Sequence, residues 1–363
     1  MIVVAKIGTS SLTDDAGQID DGAIGRFCDE VAQVRAAGHQ VVVVTSGAIA
    51  AGVPALGFSD RPRDMVTLQA ASAVGQGQLM RVYEQHFARH GHLTGQVLLA
   101  PFDFFERAQY LHARRTLMRL LELEVVPVVN ENDAIADDAI RFGDNDRIAA
   151  LVAQLVGAEL LILLTDTPGL LTADPRFDDN ASLIEEIVEF DQALEALAGG
   201  AGTDRGSGGM TSKLAAAKIA AWSGVRTVIA GAARRSVLAD AIAGAAGVGT
   251  VIRPRSSRLG ARKLWIAFAV PSRGTIVVDD GARRALTERN TSLLPVGVIG
   301  MDGSFDVGDA VEIVSAGGEV FAKGLTRMAR TSLRSAAGKR TVDLALGQPD
   351  EVVHRDELVL VPS

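Results

Sequence analysis

A chain of 363 residues, 48% hydrophobic and 22% charged, is long enough for two domains with sizeable cores and too apolar to be disordered. Its formal charge of −8 argues against broad binding to nucleic acid, and no apolar run reaches the length of a membrane span. The single cysteine, Cys28, cannot form an internal disulfide and fits a reducing, cytoplasmic setting. Residues 260–363 are charge-neutral, so the negative excess lies before them, where any cation at a site becomes conspicuous.

Residues 2–7 read as an apolar strand that breaks at Gly8-Thr9-Ser10-Ser11. Lys6 stands at its end, where backbone N–H groups and a compact cation suit a phosphate. The simpler alternative is a lysine that reaches solvent. Residues 20–37 show helical periodicity, with Ile24, Phe27, Val31 and Val34 on one face, and Gly38 stops the helix. Residues 40–44 form a second buried strand running into Thr45-Ser46-Gly47, which is either an anion-friendly helix entry or an ordinary βα turn. Residues 65–89 form a long helix in which Gly75 and Gly77 allow a close helix contact or a ligand's approach. His86, His90 and His92 lack the partner set of a metal site and read as surface histidines. A third strand at 96–100 and a helix at 104–123 follow.

The fourth strand, 125–129, ends in Asn130-Glu131-Asn132-Asp133. A second polar cluster, Gly143-Asp144-Asn145-Asp146, precedes a helical pattern of Ile148, Leu151, Val152 and Leu155. Open parallel sheets bind ligands where strands end and helices begin. Carboxylates and amides there can grip an ammonium group, hold a metal ion or orient cationic side chains. Either cluster alone also fits loop and N-cap chemistry. Residues 159–165 are a fifth strand, exiting through Thr165-Asp166-Thr167-Pro168-Gly169. A glycine-rich run then leads through Ser207-Gly208-Gly209-Met210-Thr211-Ser212-Lys213 into a helix, a favourable phosphate cradle. It is not a Walker A loop, because Ser212 rather than glycine precedes Lys213. A sixth strand at 227–231 and a helix ending near Gly244 complete the alternation.

Alternating strands and helices predict an α/β three-layer αβα sandwich with a mainly parallel sheet over 1–252. Residues 253–263 read as a linker. Residues 264–363 read as a small, mostly-β module with strands at 265–270, 275–278, 310–314 and 319–322.

Several segments together carry a family likeness: KIGTSSL from residue 6, TSGAIAAG at 45–52, VNEND at 129–133, FGDND at 142–146, LLTD at 163–166 and GSGGMTSK at 206–213. RKLWI at 262–266, VDDGARRAL at 278–286 and HRDELVL at 354–360 extend it. The ordered set resembles the glutamate 5-kinases, which join an amino acid kinase fold to a C-terminal PUA domain. The resemblance implies transfer of the ATP γ-phosphoryl group to the γ-carboxylate of L-glutamate with Mg²⁺, the first step of proline biosynthesis. It implies that Ser46, Asp133 and Asn145 bind glutamate, supported by Asp144. It assigns the transferring phosphoryl group to Lys6 and Lys213, organised by Asp146. Gly8, Thr165, Asp166 and the loop Ser207, Gly208, Gly209, Met210, Thr211, Ser212 and Lys213 then form the nucleotide site. Proline as a feedback inhibitor, a homo-oligomer and functional coupling to a glutamyl-phosphate reductase are further implications.

The chemistry agrees. A carboxylate is already a nucleophile at neutral pH, so the missing His or Cys candidate costs nothing. In-line positioning and charge neutralisation remain to be supplied. The sequence departs from the family in carrying Ser207 for a threonine, Pro168 for an aspartate before Gly169, and no Tyr-Ser pattern in Gly324–Ser332. Another amino acid kinase, acting on acetylglutamate or uridylate, would keep the lysines and glycine loop but not the second domain. An RNA-binding reading of the PUA-like part is opposed by its neutral charge and few stacking aromatics.

Overall fold

The apolar runs of the first part become strands buried on both faces, as expected of a parallel sheet covered by helices. The computed structural model describes residues 1–104, 106–135, 145–173, 178, 180–188, 190, 194, 209–255, 259–268, 270–344 and 347–361. The chain divides into two units, Met1–Arg258 and Leu259–Ser363.

In the first unit, β1 (Ile2–Ile7) leads to α1 (Asp21–Ala36), whose N-cap Asp20 accepts the Ala23 N–H. Then come β2 (Gln40–Val44), α2 (Ala48–Ala55), α3 (Met65–Ala88) and β3 (Thr94–Leu99). Next are α4 (Arg107–Glu122), β4 (Val126–Glu131), α5 (Asn145–Val156) and β5 (Leu160–Thr165). A short β6 (Glu186–Ile187), α6 (Met210–Trp222), β7 (Arg226–Gly231), α7 (Val237–Ala243) and β8 (Thr250–Ile252) follow. The strands run in the order β3-β4-β2-β1-β5-β7-β8-β6. Neighbours pair parallel except β7 and β8, which are antiparallel, and β6 and β8 were not foreseen as strands.

This topology creates the site. The chain winds outward from β1 through β2 on one side and returns on the other as β5, so β1 is a switch point of the sheet. The register places Val129, Val44, Lys6 and Leu163 in one row across four strands. Every residue just beyond that row lies on the C-terminal rim.

Helices α2 and α3 touch backbone to backbone. A Cβ on Gly75 would lie 1.9 Å from the Ala48 carbonyl oxygen and 2.4 Å from the Gly52 nitrogen. Gly77, on the exposed side, has nothing within 4 Å. Gly75→Ala should therefore destabilise by about 1–3 kcal/mol. Gly77→Ala should be neutral or gain up to about 1 kcal/mol from helix propensity. Urea melts of the two variants check the contrast; equal midpoints would refute the close contact. His86, expected at the surface, is buried against α1, its Nε2 3.2 Å from Asp21 Oδ1. Gly25 leaves the room it occupies: a Cβ there would come within 2.7 Å of the ring.

The second unit begins with α8 (Ala261–Phe268). Residues 265–270 were expected as a strand, and this is a correction. A short apolar run has the same composition in a buried helix as in a buried strand. Here Ile266 packs with Ala310, Leu325 and Val359, as one side of a helix against the sheet. The sheet consists of β9 (Gly274–Val278), β10 (Val298–Gly303), β11 (Ala310–Ser315), β12 (Val320–Thr326) and β13 (Val353–Leu360). Its order is β10-β9-β11-β12-β13, antiparallel apart from the β9–β11 pair. Helix α9 (Asp280–Arg289), capped by Asp279 accepting the Ala282 N–H at 2.7 Å, and α10 (Arg330–Ala336) flank it. The unit break falls within 253–263, and α8 starts inside that stretch.

Candidate functional site

At the rim, Lys6 ends the row on β1, and Asp146 is the second residue of α5. Lys6 Nζ lies 2.6 Å from Asp146 Oδ1, and Lys213 Nζ lies 3.3 Å from Oδ2. Ser212 Oγ donates to the same Oδ2 at 2.7 Å. All three charged groups are buried, Asp146 to 1% exposure. Burial alone would raise the Asp146 pKa. The charges of Lys6 and Lys213, with hydrogen bonds from Lys6 and Ser212, outweigh it and hold the carboxyl below its ordinary value. The carboxylate is thus an anchor that sets two ammonium groups side by side. A Cβ on Gly8 would stand 3.2 Å from Lys6 Nζ, so glycine keeps the space beside that cation open.

Lys213 sits in the first turn of α6, whose N-cap is Gly209. The Gly209 carbonyl accepts from the Ser212 N–H at 3.1 Å and from Ser212 Oγ at 3.1 Å. The first turn, Met210-Thr211-Ser212-Lys213, therefore brings the positive end of a helix and a cation to the same place, an arrangement suited to phosphate. Thr165 ends β5, and its hydroxyl donates to Asp166 Oδ1 at 3.0 Å.

A second group lies beside the end of β4. Asp133 opens a short 3₁₀ turn and is 7% exposed. Burial raises its pKa; the hydrogen bond from Ser72 and the charge of Arg61 oppose the rise without cancelling it. Ser72 Oγ donates to Asp133 Oδ2 at 2.8 Å. Asn145, the first residue of α5, accepts the Glu131 N–H at 3.1 Å through Oδ1, tying α5 to β4. Ser46 follows β2 and is buried. Gly47, at φ 103°, turns the chain into α2 in a conformation that side chains disfavour. Thr45 is locked by a 2.8 Å hydrogen bond with the Tyr83 hydroxyl.

Of the residues expected at the site, the structure joins Lys6, Asp146, Ser212 and Lys213 directly. Asp133 and Asn145 belong to segments bonded to the end of β4, and Ser46 and Thr165 stand after β2 and at the end of β5. Asp144, Ser207 and Gly208 lie outside the described residues. Sequence reasoning missed Ser72 and Gln76 of α3. Their signal was two polar residues four apart, on one face of a helix otherwise buried through Leu68, Ala71, Leu79 and Met80.

Comparisons with known proteins give the family. The model of the amino acid kinase family matches residues 1–231, and that of the PUA domain matches residues 274–345. A protein named glutamate 5-kinase from Paraburkholderia phytofirmans is 46% identical over 99% of this chain and 97% of its own length. A glutamate 5-kinase from Burkholderia mallei is 47% identical over the same shares. Among solved structures, the carbamate kinase from Giardia lamblia bound to AMP-PNP aligns with a TM-score of 0.51 at 17% identity. That alignment covers 69% of this chain and 98% of the carbamate kinase, a likeness of fold.

Proposed function

The chain belongs to the amino acid kinase family, in its glutamate 5-kinase branch, and from that membership and the rim geometry we infer its reaction and the roles of its residues. It transfers the γ-phosphoryl group of ATP to the γ-carboxylate of L-glutamate, forming L-glutamyl 5-phosphate for proline biosynthesis. The observation that supports this most is the buried Lys6–Asp146–Lys213 cluster. Phosphoryl transfer to a carboxylate needs no general base. It needs cations placed where negative charge spreads over the oxygens of the group in flight. Asp146, with a depressed pKa and both oxygens facing lysines, fits the anchoring role and not a basic one. Gly8 leaves room for the phosphates beside Lys6, and the α6 N-terminus with its preceding loop, including Ser207 and Gly208, cradles the nucleotide. Thr165 and Asp166, at the end of β5 and just after it, are read as part of the same nucleotide site.

Asp133 receives the substrate ammonium group, while Ser46 and Asn145 hold its polar groups and Asp144 supports them. This assignment separates glutamate from N-acetylglutamate and UMP, which carry no ammonium for Asp133 to meet. Among the described residues no cluster of three or more candidate ligands would hold a metal. Magnesium is read as arriving with the nucleotide phosphates, where it would supply charge neutralisation.

Hydroxylamine trapping tests the reading. ATP, Mg²⁺ and L-glutamate should yield a hydroxamate, whereas aspartate, N-acetylglutamate and UMP should not stimulate ADP release. ADP release with one of those acceptors, and none with glutamate, would overturn the substrate assignment. Proline shares the ammonium and carboxylate, so it should raise the apparent KM for glutamate; titrations showing no such rise would remove it as a competitor. A homo-oligomer, and coupling to a glutamyl-phosphate reductase that consumes the labile acyl phosphate, belong to the same reading. So does a cytoplasmic setting, which suits the buried free thiol of Cys28.

A further inference from the structure

Helix α3 turns one polar face toward the rim. Ser72 bonds Asp133, Gln76 bonds Asn130, and Tyr83 bonds Thr45. The Gln76–Asn130 pair has a polarity that the backbone fixes. The Glu131 N–H can only donate, and it lies 2.9 Å from Asn130 Oδ1. The other end of that side chain is therefore its NH₂, which donates to Gln76 Oε1 at 2.8 Å. Gln76 is left with its own NH₂ directed elsewhere. Nε2 is buried without a hydrogen-bond partner, on a side chain only 7% exposed. A buried amide donor without an acceptor is costly, and an acceptor carried in by a ligand removes that cost.

We propose that Gln76 is a further substrate-binding residue, its Nε2 donating to the α-carboxylate of the bound amino acid. The proposal rests on the reading of the site as a glutamate site. Asp133 takes the ammonium group, and Ser72, which holds Asp133, is one helical turn of about 5.4 Å from Gln76. The α-carboxylate shares its carbon with the ammonium, so it belongs at that separation from Asp133. The carboxylate that attacks phosphorus is the other one, which must reach toward Lys6 and Lys213. Gln76 thus distinguishes an α-amino acid from a simple ω-amino acid.

Gln76→Glu tests this. The new side chain keeps an oxygen for Asn130 Nδ2, so the structural link survives, but it replaces the donor with an anionic oxygen. The KM for glutamate should rise about 10- to 100-fold, as expected for a lost hydrogen bond to a charged group. The KM for ATP should stay unchanged. 4-Aminobutyrate, which keeps the ammonium and the distal carboxylate but lacks the α-carboxylate, should compete with glutamate in the variant at its wild-type inhibition constant. An unchanged KM for glutamate, or equal weakening of glutamate and 4-aminobutyrate, overturns the proposal. Should Q76E melt below the wild type, the 4-aminobutyrate comparison decides, because a disturbed site weakens both ligands whereas loss of the donor weakens glutamate alone. No hydroxamate from glutamate in the unmutated chain would sink the underlying reading and the proposal with it. Turnover there with an unaltered KM in Q76E sinks the proposal alone.

Discussion

Replacing Lys213 with alanine should lower kcat by about 10²- to 10³-fold, the cost of one lost electrostatic contact to a transition state, with little change in melting temperature. The asymmetry follows from the cluster. Without Lys213, Asp146 still has Lys6 at 2.6 Å and the Ser212 hydroxyl at 2.7 Å, so the buried carboxylate stays paired. Removing Asp146 is the opposite case. Asp146→Ala leaves two buried ammonium groups close together with their shared counter-charge gone, which should cost about 3–5 kcal/mol of stability. The pH signature is distinct as well. A carboxyl whose pKa is depressed on folding stabilises the native state above its unfolded value, and that stabilisation is lost as pH falls through the folded value. The stability gap between the wild type and Asp146→Ala should therefore persist from neutral into mildly acidic solution and close only in strong acid. Single-turnover kinetics beside thermal melts check both variants. Near-wild-type turnover in a well-folded Lys213→Ala chain would remove that lysine from the chemistry.

Asp133→Asn should separate binding from stability in one substitution. The pKa of Asp133 is raised by burial, so its charged form opposes folding at neutral pH. Such a group disfavours the native state above its folded pKa. The penalty is relieved as pH falls through that value and is gone below the unfolded one. The asparagine variant should therefore melt higher than the wild type at pH 7–8, with the difference vanishing in acid. The same change removes the counter-charge for the substrate ammonium, so the KM for glutamate should rise about 10- to 100-fold, as for other hydrogen bonds to charged groups. Wild-type affinity for glutamate should weaken as pH drops toward the raised pKa, because protonation discharges the same carboxylate. A variant that melts lower at pH 8, or that keeps its KM for glutamate, would contradict the assignment.

The central strands were legible because each is a continuous β-branched or leucine run, as in Val41–Val44 and Leu160–Leu164, with turn residues at its end. The rim was legible for a related reason: polar clusters such as Asn130–Asp133 directly follow an apolar run, and the chain order of a parallel sheet puts such places on one edge. What escaped depends on partners far away in sequence. The spacing of Ser72 and Gln76 is visible locally but not what it serves; they meet residues 61 and 54 positions further on. The antiparallel β8 was missed because Thr250–Ile252 is too short to show a period. The helix at Ala261–Phe268 was misread because Leu264-Trp265-Ile266 looks alike in either conformation, and only packing against the second sheet decides.

Lys6 and Lys213 are contributed by nearly opposite ends of the first unit, and Asp146 joins them from its middle. A growing polypeptide therefore carries two of the three charges long before the third exists. Until α6 emerges, Asp146 has a single cationic partner, and the first turn of that helix is not yet there to flank it. A chain arrested before residue 213 lacks the second cation altogether, so the three charges can meet only late in translation, however many strands of the row have already been made.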